Sequence, residues 1–305
     1  MRVPSILGGM DRTLLIAGCG YVGRRLAMRL LASWQVIALA RSPPMLAELR
    51  ARGIDTICAD LDADPPSPAL RRIPPGAAVA YLAPPPGSGP ADPRLERFLA
   101  ALGTVLPSVL LYMSTTGVYG DAGGASVDET SPAAPTNDRS RRRLAAERAA
   151  TAWCGDRGVR SVVLRVPGIY GPHRLPLERL GRGEPALRPE DCGPGNRIHV
   201  DDLVSACVAA IERPVSGVFN VGDGDHASTT EFLQETARLA GLPPPRLVSL
   251  AEAQGQVSPG MLEYLVESRR VLTRCMRDEL GVAPRYASLA SGIAASLEEM
   301  RAQAR

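Results

Sequence analysis

A short apolar segment followed at once by three spaced glycines constrains this chain more than any other feature. Thr13–Ala17 is apolar and β-prone, and residues 18–23 have the order Gly-Cys-Gly-Tyr-Val-Gly. In residues 24–32 the apolar side chains recur at helical spacing. A strand, a Gly-x-Gly-x-x-Gly turn and a helix together form the phosphate-binding element of dinucleotide-binding folds.

Each glycine of this turn has its own physical reason. Gly18 permits a tight turn out of the strand, Gly20 lets the backbone approach a pyrophosphate, and Gly23 lets the helix pack near the sheet. The helix predicted over residues 24–32 directs the backbone N–H groups of its amino end and the positive end of its dipole towards phosphate. Tyr21 and Val22 lie between the second and third glycines. We therefore predict that these five residues bind a dinucleotide.

The ends of the next two predicted strands bear on which coenzyme is bound. An acidic residue after the second strand would bind the ribose 2′-hydroxyl of NAD, but this chain has Arg41 and Ser42 there. Arginine pairs with phosphate and serine can donate to it, which favours NADP over NAD. The alternative is that Arg41 is a solvated surface charge. Asp60 and Leu61, after the third strand, are candidates for the adenine edge.

A fourth strand pattern ends in Leu82, Ala83 and Pro84. These residues are candidates for lining the path of the pyrophosphate and ribose, although a purely structural role explains them nearly as well. Further strand and helix patterns alternate up to about residue 166, which indicates a parallel sheet covered on both faces.

The predicted fold class is α/β, a Rossmann-type doubly wound parallel sheet with a smaller C-terminal α+β substrate lobe. We assign residues 1–166 to the NAD(P)-binding domain, with a contribution from about 198–222. Residues 167–197 and 223–305 form the lobe, and helical patterns resume from about Pro259.

Composition excludes several classes of protein. The 305 residues are 45% hydrophobic and 22% charged, with a formal net charge of +3, which argues against nucleic-acid and membrane partners. The six cysteines stand singly, without the spacing of zinc ligands. No run is apolar enough for a membrane span and no secretory signal pattern opens the sequence. A cytoplasmic protein is expected.

Six segments together resemble the extended short-chain dehydrogenases/reductases, the nucleotide-sugar epimerase/dehydratase group. They are collinear over nearly the whole chain: the glycine turn, Ser-Thr-Thr-Gly-Val-Tyr-Gly-Asp at 114–121, Val-Leu-Arg-Val-Pro-Gly-Ile-Tyr-Gly-Pro at 163–172, Arg-Ile-His-Val-Asp-Asp-Leu at 197–203, Phe-Asn-Val-Gly-Asp at 219–223, and Glu-Leu-Gly-Val-Ala-Pro-Arg-Tyr at 279–286.

The resemblance implies a bound NAD(P) and a characteristic proton-transfer apparatus. In such enzymes a Tyr in a YxxxK motif moves the proton, Lys lowers the pKa of that Tyr and holds the nicotinamide ribose, and a Ser or Thr polarises the reacting oxygen. The resemblance also places Pro167 beside the coenzyme.

This chain departs from the family at that step. Aligning Glu147 with the family's acidic residue puts Arg143 at the Lys position and Arg139 at the Tyr position. No Tyr occurs from 120 to 169, and the whole chain contains no lysine. Arg143 can still bind a ribose and supply positive charge, but an arginine is a poor general acid or base.

Hydroxyl groups remain at the implied catalytic position. Thr115 falls where the family has its Ser/Thr, with Ser114 beside it, although both residues equally fit a strand end. Tyr119 is a candidate proton donor, or otherwise a wall of the substrate pocket.

By the same resemblance, the substrate contacts are Tyr119, Tyr170, Arg174, Arg197 and His199. A buried structural histidine is the alternative for His199. The arginine that often clamps a diphosphate in the family is replaced here by Gly195, for which Arg174 or Arg182 can compensate.

Two functions remain open from the sequence. One is an atypical NAD(P)-dependent epimerase, dehydratase or reductase acting on a small polar substrate, such as a nucleotide sugar. The other is a non-catalytic NADP(H)-binding redox sensor, which the missing Tyr and Lys favour. The sequence leaves open whether the family's usual homodimer forms through the Arg-rich helix.

Overall fold

The computed structural model describes residues 12–63, 67–254 and 267–304. Its strands, in chain order, are β1 (Thr13–Ala17), β2 (Gln35–Ala40), β3 (Asp55–Cys58), β4 (Ala78–Tyr81), β5 (Val109–Thr115), β6 (Ser126–Val127), β7 (Arg160–Val166), β8 (Gly168–Tyr170), β9 (Ala186–Leu187), β10 (Arg197–His199), β11 (Gly217–Asn220), β12 (Leu247–Val248) and β13 (Arg270–Val271).

The helices of the described residues follow the same order. They are α1 (Tyr21–Leu30), α2 (Pro43–Ala51), α3 (Pro93–Leu102), α4 (Asp138–Gly155), α5 (Leu177–Gly181), α6 (Val200–Glu212), α7 (Thr229–Ala240), α8 (Leu250–Ala253), α9 (Arg274–Asp278) and α10 (Leu289–Gln303). Short 3₁₀ turns lie at Pro68–Arg72, Thr116–Tyr119 and Pro189–Asp191.

Seven strands form one sheet in the order β11-β7-β5-β4-β1-β2-β3. β1 pairs in parallel with β2 and β4, β2 with β3, and β4 with β5. Strand order therefore reverses at β1, and the carboxyl ends of these five strands lie along one edge. Ligands bind outside such a reversal in open α/β sheets. The predicted Rossmann-type fold class is confirmed.

The centre of this sheet is apolar on both faces, as expected for parallel strands covered by helices. Leu15, Val79 and Leu110 are fully buried on neighbouring strands. Phe98 of α3 packs into the same cluster, where its ring centroid is 5.1 Å from that of Tyr81. The core thus fixes the strand ends from which the predicted coenzyme residues project.

Two helix boundaries differ from the sequence prediction. α1 begins at Tyr21, three residues earlier than predicted, because the backbone N–H of Arg24 already bonds Gly20 O at 2.9 Å. From the sequence, Pro43 and Pro44 predict a break in the chain before a helix over 45–52, but α2 already begins at Pro43. Prolines are tolerated in the first helical turn, and the Ser42 side chain caps this helix by accepting from Met45 N.

The chain divides into two compact units. Unit 1 comprises residues 1–114, 141–164 and 207–218, and unit 2 comprises 115–140, 165–206 and 219–305. Within unit 1 the guanidinium of Arg160 donates to the carbonyl oxygens of Ala210, Ile211 and Val215 at 3.0, 2.8 and 3.2 Å, where α6 ends. The domain boundaries predicted from sequence remain a prediction.

Unit 2 contains three small parallel sheets, β8–β10, β9–β12 and β6–β13. α7 begins at a Ser228 capping box and ends at Gly241, whose φ is +68°. Tyr170 and Ile293 share a buried apolar cluster with residues of α7 and α10.

The predicted helical stretch from about Pro259 is corrected in part. Its start lies outside the described residues, and from 267 onwards the chain forms β13 and two separate helices, α9 and α10. Gly281, with φ +63°, and Pro284 interrupt helical geometry between α9 and α10. Asp202 of α6 accepts from Arg285 N at 2.9 Å and Tyr286 N at 3.0 Å, so it anchors this segment.

Across residues 12–63, 67–254 and 267–304, no helix is both long enough and apolar enough to cross a membrane.

Candidate functional site

The glycine turn after β1 is tightly packed at two positions and open at the third. Gly18 has φ +92°, and a Cβ there would lie 2.5 Å from Ala83 N. A Cβ on Gly23 would lie 2.9 Å from Gly18 O, whereas a Cβ on Gly20 would meet nothing within 4 Å. Packing within the protein therefore requires glycine at 18 and 23. At Gly20 the space is open, as a ligand that approaches the backbone needs.

The amino end of α1 presents backbone rather than side chains. Gly20 is its N-cap and supplies no side-chain hydrogen bond, and the first turn carries no acidic residue. Val22 is buried, while Tyr21 is half-buried with the guanidinium of Arg25 5.5 Å from its ring. With no carboxylate in the first turn, the positive end of the helix dipole suits an anion.

At the ends of β2 and β3, the predicted residues Arg41 and Asp60 lie near each other and near Asp62. Arg41 Nη1 lies 3.8 Å from Asp60 Oδ1 and 3.6 Å from Asp62 Oδ2. Both distances exceed a hydrogen bond. The Ser42 side chain is engaged as the cap of α2, and Leu61 is buried. Of the predicted adenine pair, Asp60 is therefore the exposed member.

Sequence reasoning missed the residue that holds the segment after β3 in place. Arg94, near the start of α3, donates to both carboxylate oxygens of Asp62 at 2.7 Å and to Pro84 O at 3.0 Å. The Arg94 guanidinium holds the pKa of the Asp62 carboxyl below its usual range. Leu82 and Ala83 precede Pro84, and Leu82 N bonds Ala17 O at 2.8 Å. The loops after β3 and β4 are thus tied together.

A second missed residue supports the loop after β4. Arg142 of α4 is buried and donates to Gly89 O at 2.9 Å and to Gly87 O at 3.1 Å. Its neighbour Arg143, the predicted substitute for the family lysine, donates from Nη1 to Met113 O at 2.8 Å and to Tyr112 Oη at 3.3 Å. Both guanidinium groups therefore donate hydrogen bonds to main-chain carbonyl oxygens, Arg142 in the loop after β4 and Arg143 near the end of β5.

The contact between Tyr112 and Arg143 pairs a phenol with a cation, as a catalytic Tyr–Lys pair does. Burial outweighs the cation, however, and raises the pKa of Tyr112 to about 12. Tyr112 is fully buried in the sheet core. It does not replace the missing tyrosine, because its hydroxyl cannot reach a substrate.

The two candidate hydroxyls after β5 have different surroundings. Ser114 is buried, and its hydroxyl donates to Glu147 of α4 through a short hydrogen bond. Thr115 is half-exposed, and its Oγ1 accepts from Gly117 N at 3.2 Å. That contact occupies a lone pair of Thr115 and leaves the hydroxyl proton to be donated. Thr115 is therefore the better placed of the two to polarise a substrate oxygen.

Tyr119 lies inside unit 2. Its hydroxyl donates to Asn220 Oδ1 at 2.7 Å, and the Arg165 guanidinium lies 4.8 Å from its ring. Burial raises the pKa of Tyr119. These contacts match the wall alternative better than the proton-donor one.

The predicted substrate residues all lie in unit 2, and several are occupied by internal contacts. His199 is buried, with Nε2 3.2 Å from Ser296 Oγ and Nδ1 facing Asp201 N at 3.2 Å. Arg197 is buried and donates to Ala227 O at 2.6 Å. The buried surroundings of His199 match the structural alternative, and Arg197 has a structural bond as well.

The other members of the predicted set are more varied. Tyr170 is buried, Pro167 is half-buried and Arg174 is exposed. A Cβ on Gly195 would lie 2.4 Å from Ala227 O and 2.6 Å from Arg197 Nη1. Position 195 therefore has no room for the arginine that the resemblance leads one to expect.

In sum, the predicted coenzyme residues other than Pro167 fall in unit 1, and the predicted substrate residues fall in unit 2. The strand order and the glycine turn together define a Rossmann-type protein of the dinucleotide-binding class.

Comparison with known proteins narrows this class. Residues 95–222 match the model of the NAD dependent epimerase/dehydratase family. Protein YeeZ of Escherichia coli K12 is 30% identical over 262 residues, covering 82% of this chain and 92% of YeeZ. The chain belongs to the NAD-dependent epimerase/dehydratase family, which is part of the extended short-chain dehydrogenases/reductases.

Solved structures support the same family assignment. A functionally unknown conserved protein from Silicibacter pomeroyi DSS is 31% identical with a TM-score of 0.79, over 96% of this chain and 99% of that one. MoeE5, solved in complex with UDP-glucose and NAD, is 25% identical with a TM-score of 0.73, over 97% of this chain and 100% of that one. The resemblance proposed from the sequence is confirmed.

Proposed function

We propose that this chain is an NADP(H)-binding oxidoreductase that acts on a small polar substrate without a tyrosine–lysine pair. The observation that carries the proposal is the open space at Gly20, beside two glycines that packing already explains. No atom of the described residues lies within 4 Å of a Cβ placed on Gly20, and a pyrophosphate that approaches the backbone would fill that space.

The residues of unit 1 fit such a coenzyme. The amino end of α1 would hold the pyrophosphate, and Asp60 the adenine edge. Arg41 would meet a ribose 2′-phosphate, because its exposed guanidinium lies beyond hydrogen-bonding distance of both neighbouring carboxylates. Arg143 would hold the nicotinamide ribose with the guanidinium nitrogens other than Nη1.

When bound, the coenzyme supplies hydride chemistry. The chain itself would contribute the Thr115 hydroxyl, which donates to the reacting oxygen of the substrate while its own oxygen accepts from Gly117 N. Thr115 would keep its own proton, so the one proton that balances hydride transfer would be exchanged with water, because the Tyr119 hydroxyl is already donated to Asn220. Such a site polarises a carbonyl or hydroxyl group but lacks a strong side-chain base.

The relatives and the surroundings of position 195 indicate which substrates to test. MoeE5 was solved with UDP-glucose, so nucleotide sugars are the first substrates to test. Because Gly195 leaves no room for a clamping arginine, the exposed Arg174 would have to meet a diphosphate. A small polar substrate without a diphosphate fits equally well.

A second candidate function is a redox sensor that binds the coenzyme without turnover. The observation that favours it is the pair of hydrogen bonds that Arg143 Nη1 donates to Met113 O and Tyr112 Oη. This cation braces the protein instead of activating a tyrosine.

Coenzyme binding is tested by titrating the protein with NADPH and NADH by calorimetry. Gly20→Val should weaken both affinities at least tenfold with little change in melting temperature. Gly155→Val is the control, because a Cβ there also meets nothing within 4 Å and the residue ends α4. Equal affinities for Gly20→Val and wild type would refute the proposal.

A turnover assay distinguishes the proposed oxidoreductase from the redox sensor. Wild type is incubated with reduced or oxidised coenzyme and a panel of nucleotide sugars and small carbonyl compounds, and the coenzyme absorbance is followed. For an enzyme, Thr115→Val should abolish turnover and Thr115→Ser should retain part of it. Tight coenzyme binding without turnover of any of these compounds would favour the sensor.

A further inference from the structure

The guanidinium of Arg41, which follows β2, lies near two carboxylates. Arg41 Nη1 lies 3.6 Å from Asp62 Oδ2 and 3.8 Å from Asp60 Oδ1. All three side chains are exposed, with 65%, 40% and 48% of their area accessible in the order Arg41, Asp62, Asp60. A ligand that reaches Arg41 therefore also meets these negative charges.

Asp62 is fixed in place. Arg94 donates from Nε and Nη2 to the two oxygens of Asp62, both at 2.7 Å, and the Asp62 backbone N–H bonds Asp60 Oδ1 at 3.0 Å. Arg94 is itself fastened to Pro84 O at 3.0 Å. A bidentate guanidinium–carboxylate pair has a defined geometry, so the Asp62 carboxylate cannot easily swing away from Arg41.

A ribose 2′-phosphate would have to compete with this carboxylate. It would carry close to two negative charges near neutral pH, would be attracted by Arg41 and would be repelled by Asp62. NAD, which has a hydroxyl at that place, would not meet this repulsion.

We propose that Asp62 is a specificity-determining residue, which weakens the recognition of a 2′-phosphate by Arg41 and lets the site take NAD as well as NADP. This inference rests on the proposed coenzyme binding. It concerns Asp62 and not Asp60, because Asp62 is the nearer carboxylate, is fixed by Arg94, and is not a predicted adenine contact.

The test is the ratio of the dissociation constants for NADPH and NADH, measured by calorimetry on the full chain at low ionic strength. Asp62→Asn removes the charge and keeps the size of the side chain. It should tighten NADPH about three- to fivefold relative to NADH, a size typical of one exposed charge pair. Added salt should reduce the gain, because exposed charges are screened.

Two controls isolate the effect. Asp55→Asn makes the same charge change at the amino end of β3, where the carboxylate accepts from Gln35 Nε2 at 3.0 Å, and should leave the ratio unchanged. In an Arg41→Met background, Asp62→Asn should still tighten NADPH relative to NADH, because the repulsion between the Asp62 carboxylate and a 2′-phosphate does not require Arg41. Asp62→Ser is the second variant should Asp62→Asn not fold.

The outcomes are distinct. A ratio that stays within twofold of wild type in both folded Asp62 variants would overturn the inference while coenzyme binding stands. A wild-type protein that binds neither NADPH nor NADH would overturn both the inference and the proposed function. A preference for NADPH that rises in the Asp62 variants and not in Asp55→Asn supports both.

Discussion

The hydroxyl of Ser114 donates to the carboxylate of Glu147, which joins the end of β5 to the middle of α4 inside unit 1. Each residue is only 4% exposed. A buried polar group costs free energy unless hydrogen bonds replace those it made to water. The Ser114 hydroxyl is one of these bonds.

Glu147→Ala should lower the free energy of unfolding by about 1–3 kcal/mol, because it leaves a buried hydroxyl without its acceptor. Glu147→Gln should cost less, since the amide oxygen can still accept from Ser114. Urea denaturation measures both, with Arg148→Ala on the exposed side of α4 as control. Equal stability of Glu147→Ala and wild type would show that the bond contributes nothing.

Substitutions of Gly18 and Gly20 should differ strongly in their effect on the free energy of unfolding. Gly18→Ala should cost at least about 2 kcal/mol, because φ is +92° and the new Cβ would overlap Ala83 N. Gly20→Ala should stay within about 0.5 kcal/mol of wild type, since its Cβ enters open space. Thermal unfolding without coenzyme gives the comparison. A Gly20→Ala protein as unstable as Gly18→Ala would contradict the packing described here.

Asp223 should make stability depend on pH. Burial raises the pKa of the Asp223 carboxyl to about 7. The hydrogen bond from Asp225 N and the charge of Arg197 lower this pKa, and the Asp225 carboxylate raises it by less than burial does. The unfolded value is about 4. The folded state thus binds the proton more tightly, so this stabilisation is complete below about pH 4 and is lost as the pH rises through 7.

Asp223→Asn removes this titration and keeps an oxygen to accept from Asp225 N, a bond of 3.0 Å in the wild type. Relative to wild type, the variant should gain at least about 1 kcal/mol of stability between about pH 5 and pH 8. Urea denaturation at each pH tests it, with the exposed Glu178→Gln as control. A difference that stays constant with pH would disprove the shift.

Substitutions of Tyr170 and Gly292 should have strongly non-additive effects on the free energy of unfolding. A Cβ on Gly292 would lie 2.1 Å from Tyr170 Oη, so Gly292→Ala should cost at least about 2 kcal/mol. In the described part of the chain the Tyr170 hydroxyl is buried without a hydrogen-bond partner. Tyr170→Phe should therefore be nearly neutral or stabilising by itself.

The double variant should recover part of the loss, because Tyr170→Phe removes the atom that the new methyl group overlaps. A double-mutant cycle on urea midpoints measures this coupling energy. Simple additivity of the two changes would mean that the two groups do not meet as described.

Much of the fold could be predicted because the central strands are buried on both faces and have continuous apolar runs. Thr13–Ala17 agrees with the prediction residue for residue. α2 does not, since prolines were taken as a break although they begin the helix. The stretch 171–197 carried no periodic signal, because α5 has five residues and β9 only two.

The candidate site was predicted less completely than the fold. Local motifs single out the glycine turn and Thr115 as candidates, because the role proposed for each depends on neighbouring residues. Asp62 with Arg94 and Ser114 with Glu147 pair across 32 and 33 positions, and nothing in either local sequence indicates its partner. Long arginine side chains such as Arg142 reach too many acceptors for spacing alone to select one.

Arg142, Arg143 and Arg160 all support the main chain by donating to carbonyl oxygens, and the sequence has no lysine. A guanidinium offers five N–H donors in one plane, so a single side chain can bond several carbonyl oxygens at once. Acylating reagents directed at amines find no side chain to modify, whereas dicarbonyl reagents that attack guanidinium would act on the supports of α4 and β7 themselves.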